Sequence, residues 1–205
     1  MLTKLKERVQ QMLAAEARAA HRIGLTPNMI SGLGTIFALL AALAYVRWQD
    51  SSFYLPLAII MLLLSGFYDA LDGIVARLYQ QTTAFGGFLD SLLDRYADAA
   101  IYIAIIISGL CWPLWGLIAL AGSLLVSYSR ARAEAVNVKM ESVGIAERAE
   151  RMIVLVVATL IASTRYWSPA TVINYAIIFL AILSNLTVLQ RGLYAYGKLN
   201  KKGAG

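Results

Sequence analysis

The sequence predicts an all-α integral membrane protein, with six transmembrane helices behind an N-terminal amphipathic juxtamembrane helix. Three observations carry that prediction. Of the 205 residues, 60% are hydrophobic and only 15% are charged, whereas soluble domains carry about 25% charge. Apolar runs recur near 28–47, 53–76, 84–110, 112–136, 150–165 and 169–190, each close to the ~20 residues that cross a bilayer. Lysine and arginine gather in alternate connections instead of spreading evenly.

The elements follow in order. Across residues 1–22, Leu2, Leu5, Val9, Met12 and Leu13 recur at helical intervals, with Lys4, Arg8 and Glu16 elsewhere on the turn. That pattern suits a helix lying in the membrane interface. No secretory leader is visible there, because no apolar stretch or cleavage motif interrupts the charge. Thr26-Pro27-Asn28 then reads as a helix start, with Thr26 as cap and Pro27 in the first turn. Trp48 to Ser52 breaks the first span from the second. Only Leu78 to Thr83 joins the second to the third, so these two are expected to pack as antiparallel neighbours. Gly109 to Pro113 and Thr164 to Pro169 form the remaining tight connections. Gly116, Ala119 and Gly122 suit close helix packing. No repeat or linker appears, so residues 1–205 read as one domain, with a six-helix core over 28–190.

Charge orients the chain. Lys4, Lys6, Arg8, Arg18 and Arg22, then Arg77, then Arg130 to Arg151, then Arg191 to Lys202 all fall on one side of six spans. The other side holds little beyond Arg47 and Arg165. The positive-inside rule therefore places both termini in the cytoplasm, in a multi-pass cell-membrane protein. The net charge of +6 suits anionic headgroups and a phosphorylated substrate, and nucleic acid is not expected as a partner. Cys111 is the only cysteine and His21 the only histidine, which excludes a disulfide framework, a thiolate cluster and a histidine-rich metal centre. His21 is expected in a solvated juxtamembrane segment.

Against this background, four carboxylates stand out. The run D-A-L-D-G-I-V-A-R, eight residues, then G-G-F-L-D-S-L-L-D puts Asp69, Asp72, Asp90 and Asp94 in apolar segments. Ionised groups there cost several kcal/mol and are functional by default. At ~100° per residue, Asp69 and Asp72 share a broad helix face with Gly73, Ala76 and Arg77, and Gly86, Asp90 and Asp94 share another. Four carboxylates so close repel one another unless cations or protons intervene. Oxygen ligands without His or Cys favour Mg²⁺, Mn²⁺ or Ca²⁺, and two such ions clamp a phosphate. Metal-assisted phosphoryl transfer, a cation or proton pathway, and a purely structural polar network all fit this spacing.

The motif D-x2-D-G-x2-A-R-x8-G-x3-D-x3-D resembles the signature of the CDP-alcohol phosphatidyltransferases, with Asp69, Asp72, Gly73, Ala76, Arg77, Gly86, Asp90 and Asp94 at its fixed positions. The resemblance implies a homodimer of six-span chains with a cytoplasm-facing site. It implies transfer of a phosphatidyl-type group from a CDP-linked lipid to an alcohol, with release of CMP. Two divalent ions, Mg²⁺ or Mn²⁺, are implied as cofactors. By the same resemblance, Asp69, Asp72 and Asp90 are metal ligands, and Asp94 is the general base while also near metal. Asn28, Asp69, Gly73, Ala76, Arg77, Thr83 and Gly86 are then contacts to the CDP moiety. Asp98 lies one turn past the signature and reads as a support for the site or a polar contact between helices.

A basic cluster bears on the acceptor. Ser127 to Ala135 contains A-R-A-E-A, Ile145 to Arg151 contains E-R-A-E-R, and Arg191 ends the sixth span. Arginine suits bidentate phosphate recognition. These residues also read as topology anchors, or as partners of Glu134, Glu147 and Glu150. This half is similar to the branch that makes phosphatidylinositol phosphate or archaetidylinositol phosphate, which carries A-R-A-E-A and E-R-P-E-R elements. That resemblance implies inositol 1-phosphate as acceptor, bound by Arg130, Arg151 and Arg191, with Arg132 and Arg148 nearby. Arg130 stands where relatives often have Lys, and Ala149 replaces Pro. Glycerol 3-phosphate is the alternative acceptor, and a cation or proton transporter the alternative of a different class.

Overall fold

The structure, a computed structural model, describes residues 13–140 and 143–203. Seven helices follow one another among the described residues: α1 (Ala14–Arg22), α2 (Pro27–Val46), α3 (Tyr54–Leu78), α4 (Ala84–Ile107), α5 (Pro113–Ala135), α6 (Arg148–Ser163) and α7 (Pro169–Gly203). Of these, α2, α3, α5 and α7 are long and apolar enough to cross a membrane. The other two core helices depart from that pattern for different reasons. α4 is long enough at 24 residues, but Asp90, Asp94, Arg95 and Asp98 interrupt its apolar surface. α6 has 16 residues, which at 1.5 Å per residue falls short of a ~30 Å hydrocarbon core. The described residues are thus all-helical, and the chain is a multi-pass membrane protein.

Local chemistry sets the two helix starts that matter most. Thr26 caps α2, its Oγ1 accepting from the Met29 amide at 3.3 Å, with Pro27 in the first turn. Thr83 caps α4, accepting from the Gly86 amide at 2.9 Å. Each cap satisfies an amide that the helix cannot pair internally.

α2 is the central post. Ile30, Gly34, Ala38, Ala41 and Tyr45 recur at three- and four-residue steps and are buried. Small residues let helix backbones approach closely where lipid offers no hydrophobic drive. At Gly34, an added Cβ would sit 3.4 Å from the Ser65 carbonyl of α3. α2 packs on both α3 and α4; α5 packs on α4 and α7; α6 packs on α3 and α7. Tyr45 of α2, fully buried, shares a 2.5 Å hydrogen bond with Thr159 of α6.

The expected side-by-side pairing of the two aspartate-bearing helices does not occur. α3 and α4 are not among the closely packed pairs, and α2 lies against both. Facing carboxylates repel and need space or cations between them, so the pair is splayed over α2 and a cleft opens between its members. The small stripe of α5 is used inside the chain: a Cβ on Gly122 would meet Ser184 and Asn185 of α7, and Ala119 is fully buried. α1 docks on α3 by burying Ala17 and Ala20 beside Leu71, Ile74 and Val75, and His21 stacks on Tyr79 at 3.5 Å. That stack gives His21 a packed partner where a solvated position was expected. Leu2, Leu5, Val9 and Met12, which carried the amphipathic pattern, lie outside the described residues.

Candidate active site between two clefts

Three connected spaces meet near the capped ends of α2 and α4. The first is a cleft between α2, α3 and α4, lined by Asn28, Gly73, Ala76, Arg77, Thr83 and Gly86 together with Asp72 and Asp90. Six residues expected at the CDP moiety are therefore gathered in one wall. Asp69, also expected there, lines the central chamber instead. The glycines explain the shape. A Cβ on Gly86 would lie 2.9 Å from Thr83 Oγ1 and 3.1 Å from Asn28 Oδ1, so only glycine lets α2 and α4 start this close together. A Cβ on Gly73 would lie 3.3 Å from the Arg77 guanidinium, which rests against that bare turn of α3.

The second space is a chamber of about 10 Å³ lined by Asp69, Asp72, Asp90, Asp94, Arg148, Ser31 and Ser65. Asp69, Asp90 and Asp94 each offer an oxygen within 4.8 Å of the others. Asp72 stands slightly apart, its Oδ2 accepting from Ser31 Oγ at 2.6 Å. Ser65 Oγ is buried against this chamber without a hydrogen-bond partner among the described residues. Three converging carboxylates, an orphaned hydroxyl and room for roughly one water-sized particle form the donor set of a hard divalent cation. The residues present fit such an ion.

The third space is a cavity of about 410 Å³ on the far side of Asp90, between α4, α5, α6 and α7. It falls within the ~300–1,000 Å³ typical of small-molecule sites. Arg95, Arg130, Arg148, Arg151 and Arg191 line it, facing Asp90 and Asp94. Arg132 is exposed and does not line it.

Each arginine is held in its own way. Arg148 donates from Nη1 to Asp69 (2.5 Å) and from Nε to Asp98 (3.3 Å), and its Nη1 forms an ion pair with Asp94 Oδ1 at 2.7 Å. Arg151, 2% exposed, donates to Asp98 Oδ2 at 2.8 Å and to the Ala146 carbonyl at 2.9 Å. Arg191, equally buried, donates to the carbonyls of Val126 (2.5 Å) and Val143 (2.8 Å), with Glu147 3.7 Å away. Arg130 makes only an exposed pair with Glu134 at 3.0 Å. Arg148, Arg151 and Arg191 are thus fixed, whereas the exposed Arg130 can rearrange cheaply.

Sequence reading missed three participants. Ser31 sits one turn inside α2 and reaches Asp72; Ser65 sits one turn before Asp69; Arg95 follows Asp94 and pairs with its Oδ2 at 3.2 Å. Helical spacing from Asp69 and adjacency to Asp94 were available signals for the last two. Nothing local marks Ser31.

The family model of the CDP-alcohol phosphatidyltransferases matches residues 24–189. The chain belongs to that family. It is therefore a membrane phospholipid-synthesis transferase that uses a divalent metal, and the transporter reading falls away. Among its relatives, the archaetidylinositol phosphate synthase of Pyrococcus horikoshii is 37% identical over 93% of this chain and 94% of that protein. The archaetidylinositol phosphate synthase of Methanothermobacter thermautotrophicus is 42% identical over 88% of each. The crystal structure of Mycobacterium tuberculosis phosphatidylinositol phosphate synthase with CDP-DAG bound superposes with a TM-score of 0.77 at 28% identity, covering 91% of this chain and 94% of that one. The same enzyme in complex with manganese and citrate gives 0.75 at 29% identity, covering 89% and 88%.

Proposed function

We propose that this enzyme transfers a phosphatidyl-type group from a CDP-linked lipid to the hydroxyl of inositol 1-phosphate, releasing CMP. The observation that carries this reading is the arginine-lined cavity opening onto Asp94, across Asp90 from the glycine-walled cleft. Relatives named archaetidylinositol phosphate and phosphatidylinositol phosphate synthases support the acceptor. An acceptor without phosphate would leave buried arginines without an anion to recognise.

The cleft takes the CDP moiety, where Gly73 and Gly86 admit a flat group against the backbone and Arg77 meets a phosphate. Asp69, Asp72, Asp90 and Asp94 would hold two Mg²⁺ or Mn²⁺ ions, which would supply neutralisation of the pyrophosphate and its CMP leaving group. Asp94 removes the proton from the acceptor hydroxyl, which has a high pKa and needs a positioned base. Arg95 and Arg148, on its two oxygens, orient that carboxylate. The hydroxyl oxygen then bonds to the lipid-bearing phosphorus as the bond to CMP breaks. Arg130, Arg151 and Arg191 hold the acceptor phosphate, with Arg148 beside them; Arg132 is left out of this set.

The same reading assigns six membrane crossings by α2 to α7, residues 1–22 to the interface, and both termini and the site to the cytoplasm. It treats 1–205 as one domain and the working form as a homodimer. Purified protein in bilayer discs with CDP-diacylglycerol or CDP-archaeol and Mg²⁺ tests the chemistry. CMP release should depend on added acceptor, with inositol 1-phosphate faster than glycerol 3-phosphate and free inositol inert. Equal rates with the two phosphates would defeat the narrow assignment.

A further inference from the structure

Asp98 lies outside the family motif, one helical turn beyond Asp94, and is 4% exposed. It does not line the arginine cavity, but two of its hydrogen-bond partners, Arg148 and Arg151, do. Its Oδ1 accepts from Arg148 Nε at 3.3 Å, and its Oδ2 accepts from Arg151 Nη2 at 2.8 Å and from Ser123 Oγ at 2.9 Å. Arg148 and Arg151 lie three residues apart and so share one face of α6. Two guanidiniums that close repel, and each is costly in a membrane unless neutralised. Asp90, Asp94 and Asp98 recur every four residues along α4. The first lies between the two clefts, the second beside the acceptor cavity, and the third behind its arginines.

We infer that Asp98 is a positioning residue for acceptor specificity: from behind the cavity it fixes the guanidiniums of Arg148 and Arg151 in the geometry that recognises the acceptor's phosphate. The inference rests on the proposed alcohol-phosphate acceptor and adds a residue that does not touch substrate. Ser123 of α5 supports it by holding Asp98 Oδ2.

Net charge and positioning make opposite demands here. Replacing Asp98 by Asn makes the cavity more positive by one unit. If charge alone governed recognition, the acceptor phosphate would bind more tightly and its KM would fall. If Asp98 positions the arginines, the KM rises despite the added positive charge.

The test is steady-state CMP release by wild type, Asp98→Asn and Ser123→Ala, with CDP-lipid and inositol 1-phosphate varied in turn, alongside thermal melts. Asp98→Asn should raise the acceptor KM about tenfold or more, as loss of one partner from a buried charge pair does. The CDP-lipid KM should stay within about twofold, because the donor cleft is built without Asp98. Ser123→Ala, which spares both ion pairs, should raise the acceptor KM about threefold, the scale of one weakened hydrogen bond. An acceptor KM that is unchanged or lower in Asp98→Asn overturns the inference, and so does an equal rise in both KM values. If Asp98→Asn does not fold, Ser123→Ala decides: a selective rise in acceptor KM supports the inference, and an unchanged one sinks it. Wild type that ignores every phosphorylated acceptor is a different failure, visible before any variant is compared, and it removes both readings.

Discussion

The donor cleft and the acceptor cavity share Asp90 but are built from opposite materials. Among the thirteen residues of the donor wall, only Asp72, Arg77 and Asp90 are charged, and the rest are small or neutral. In the acceptor wall nine of fourteen residues are charged, five of them arginines. On the proposed reading, the first surface works by shape: missing side chains leave helix backbone open to a flat group and a phosphate. The second works by charge, and concentrated charge brings its own requirement. Each buried guanidinium needs a counter-ion or carbonyl to stay in place, so Arg148, Arg151 and Arg191 are all tied to protein acceptors. Substitutions in the donor wall should therefore act locally, whereas those in the acceptor wall should act through neighbours and fail to add.

The sharpest challenge to that contrast is at the junction. Asp94→Asn removes the proposed base and should lower kcat about 10²–10⁴-fold while both substrates still bind, as burst and binding measurements would show. A rise in KM with kcat unchanged would move Asp94 out of the chemistry and into recognition. Chelation should abolish CMP release, and Mg²⁺ or Mn²⁺ should restore it. Asp69→Asn and Asp90→Asn should weaken Mn²⁺ binding, read directly by calorimetry.

Next in size is Arg191→Ala, which should raise the acceptor KM about 30-fold and leave the CDP-lipid KM almost unchanged. Gly86→Ala is the mirror experiment. Its methyl group would press on Thr83 and Asn28, and overpacking of one to two kcal/mol predicts roughly a tenfold rise in CDP-lipid KM alone. If either variant moved both KM values together, the two walls would not be separable. The smallest effect belongs to Arg132→Ala, exposed and off the cavity, which should change acceptor KM less than about twofold.

Much of the donor side was legible because it is local. Asp69 to Arg77 and Gly86 to Asp94 lie on two helices joined by five residues, and fixed helical spacing puts their functional groups on defined faces. The capped starts at Thr26 and Thr83 were legible for the same reason, although only the first was read. The acceptor side is contributed by α4, α5, α6 and α7, and spacing along the chain says nothing about which arginine meets which acid. Arg132 shows the cost: it shares a helix and a charge with Arg130, yet two residues, about 200° around the helix, carry it out of the cavity.

By itself the sequence determined the helical membrane class and the carboxylate set, because the bilayer forces apolar helices and makes each exception conspicuous. Only the tertiary structure decided that α3 and α4 splay over α2 instead of packing together, that Ser31 and Ser65 join the aspartates, and that Asp98 ties Arg148 to Arg151. Those outcomes depend on contacts between residues far apart in the chain. Mutual repulsion and the need to neutralise buried charge select among arrangements that helical periodicity leaves equally open.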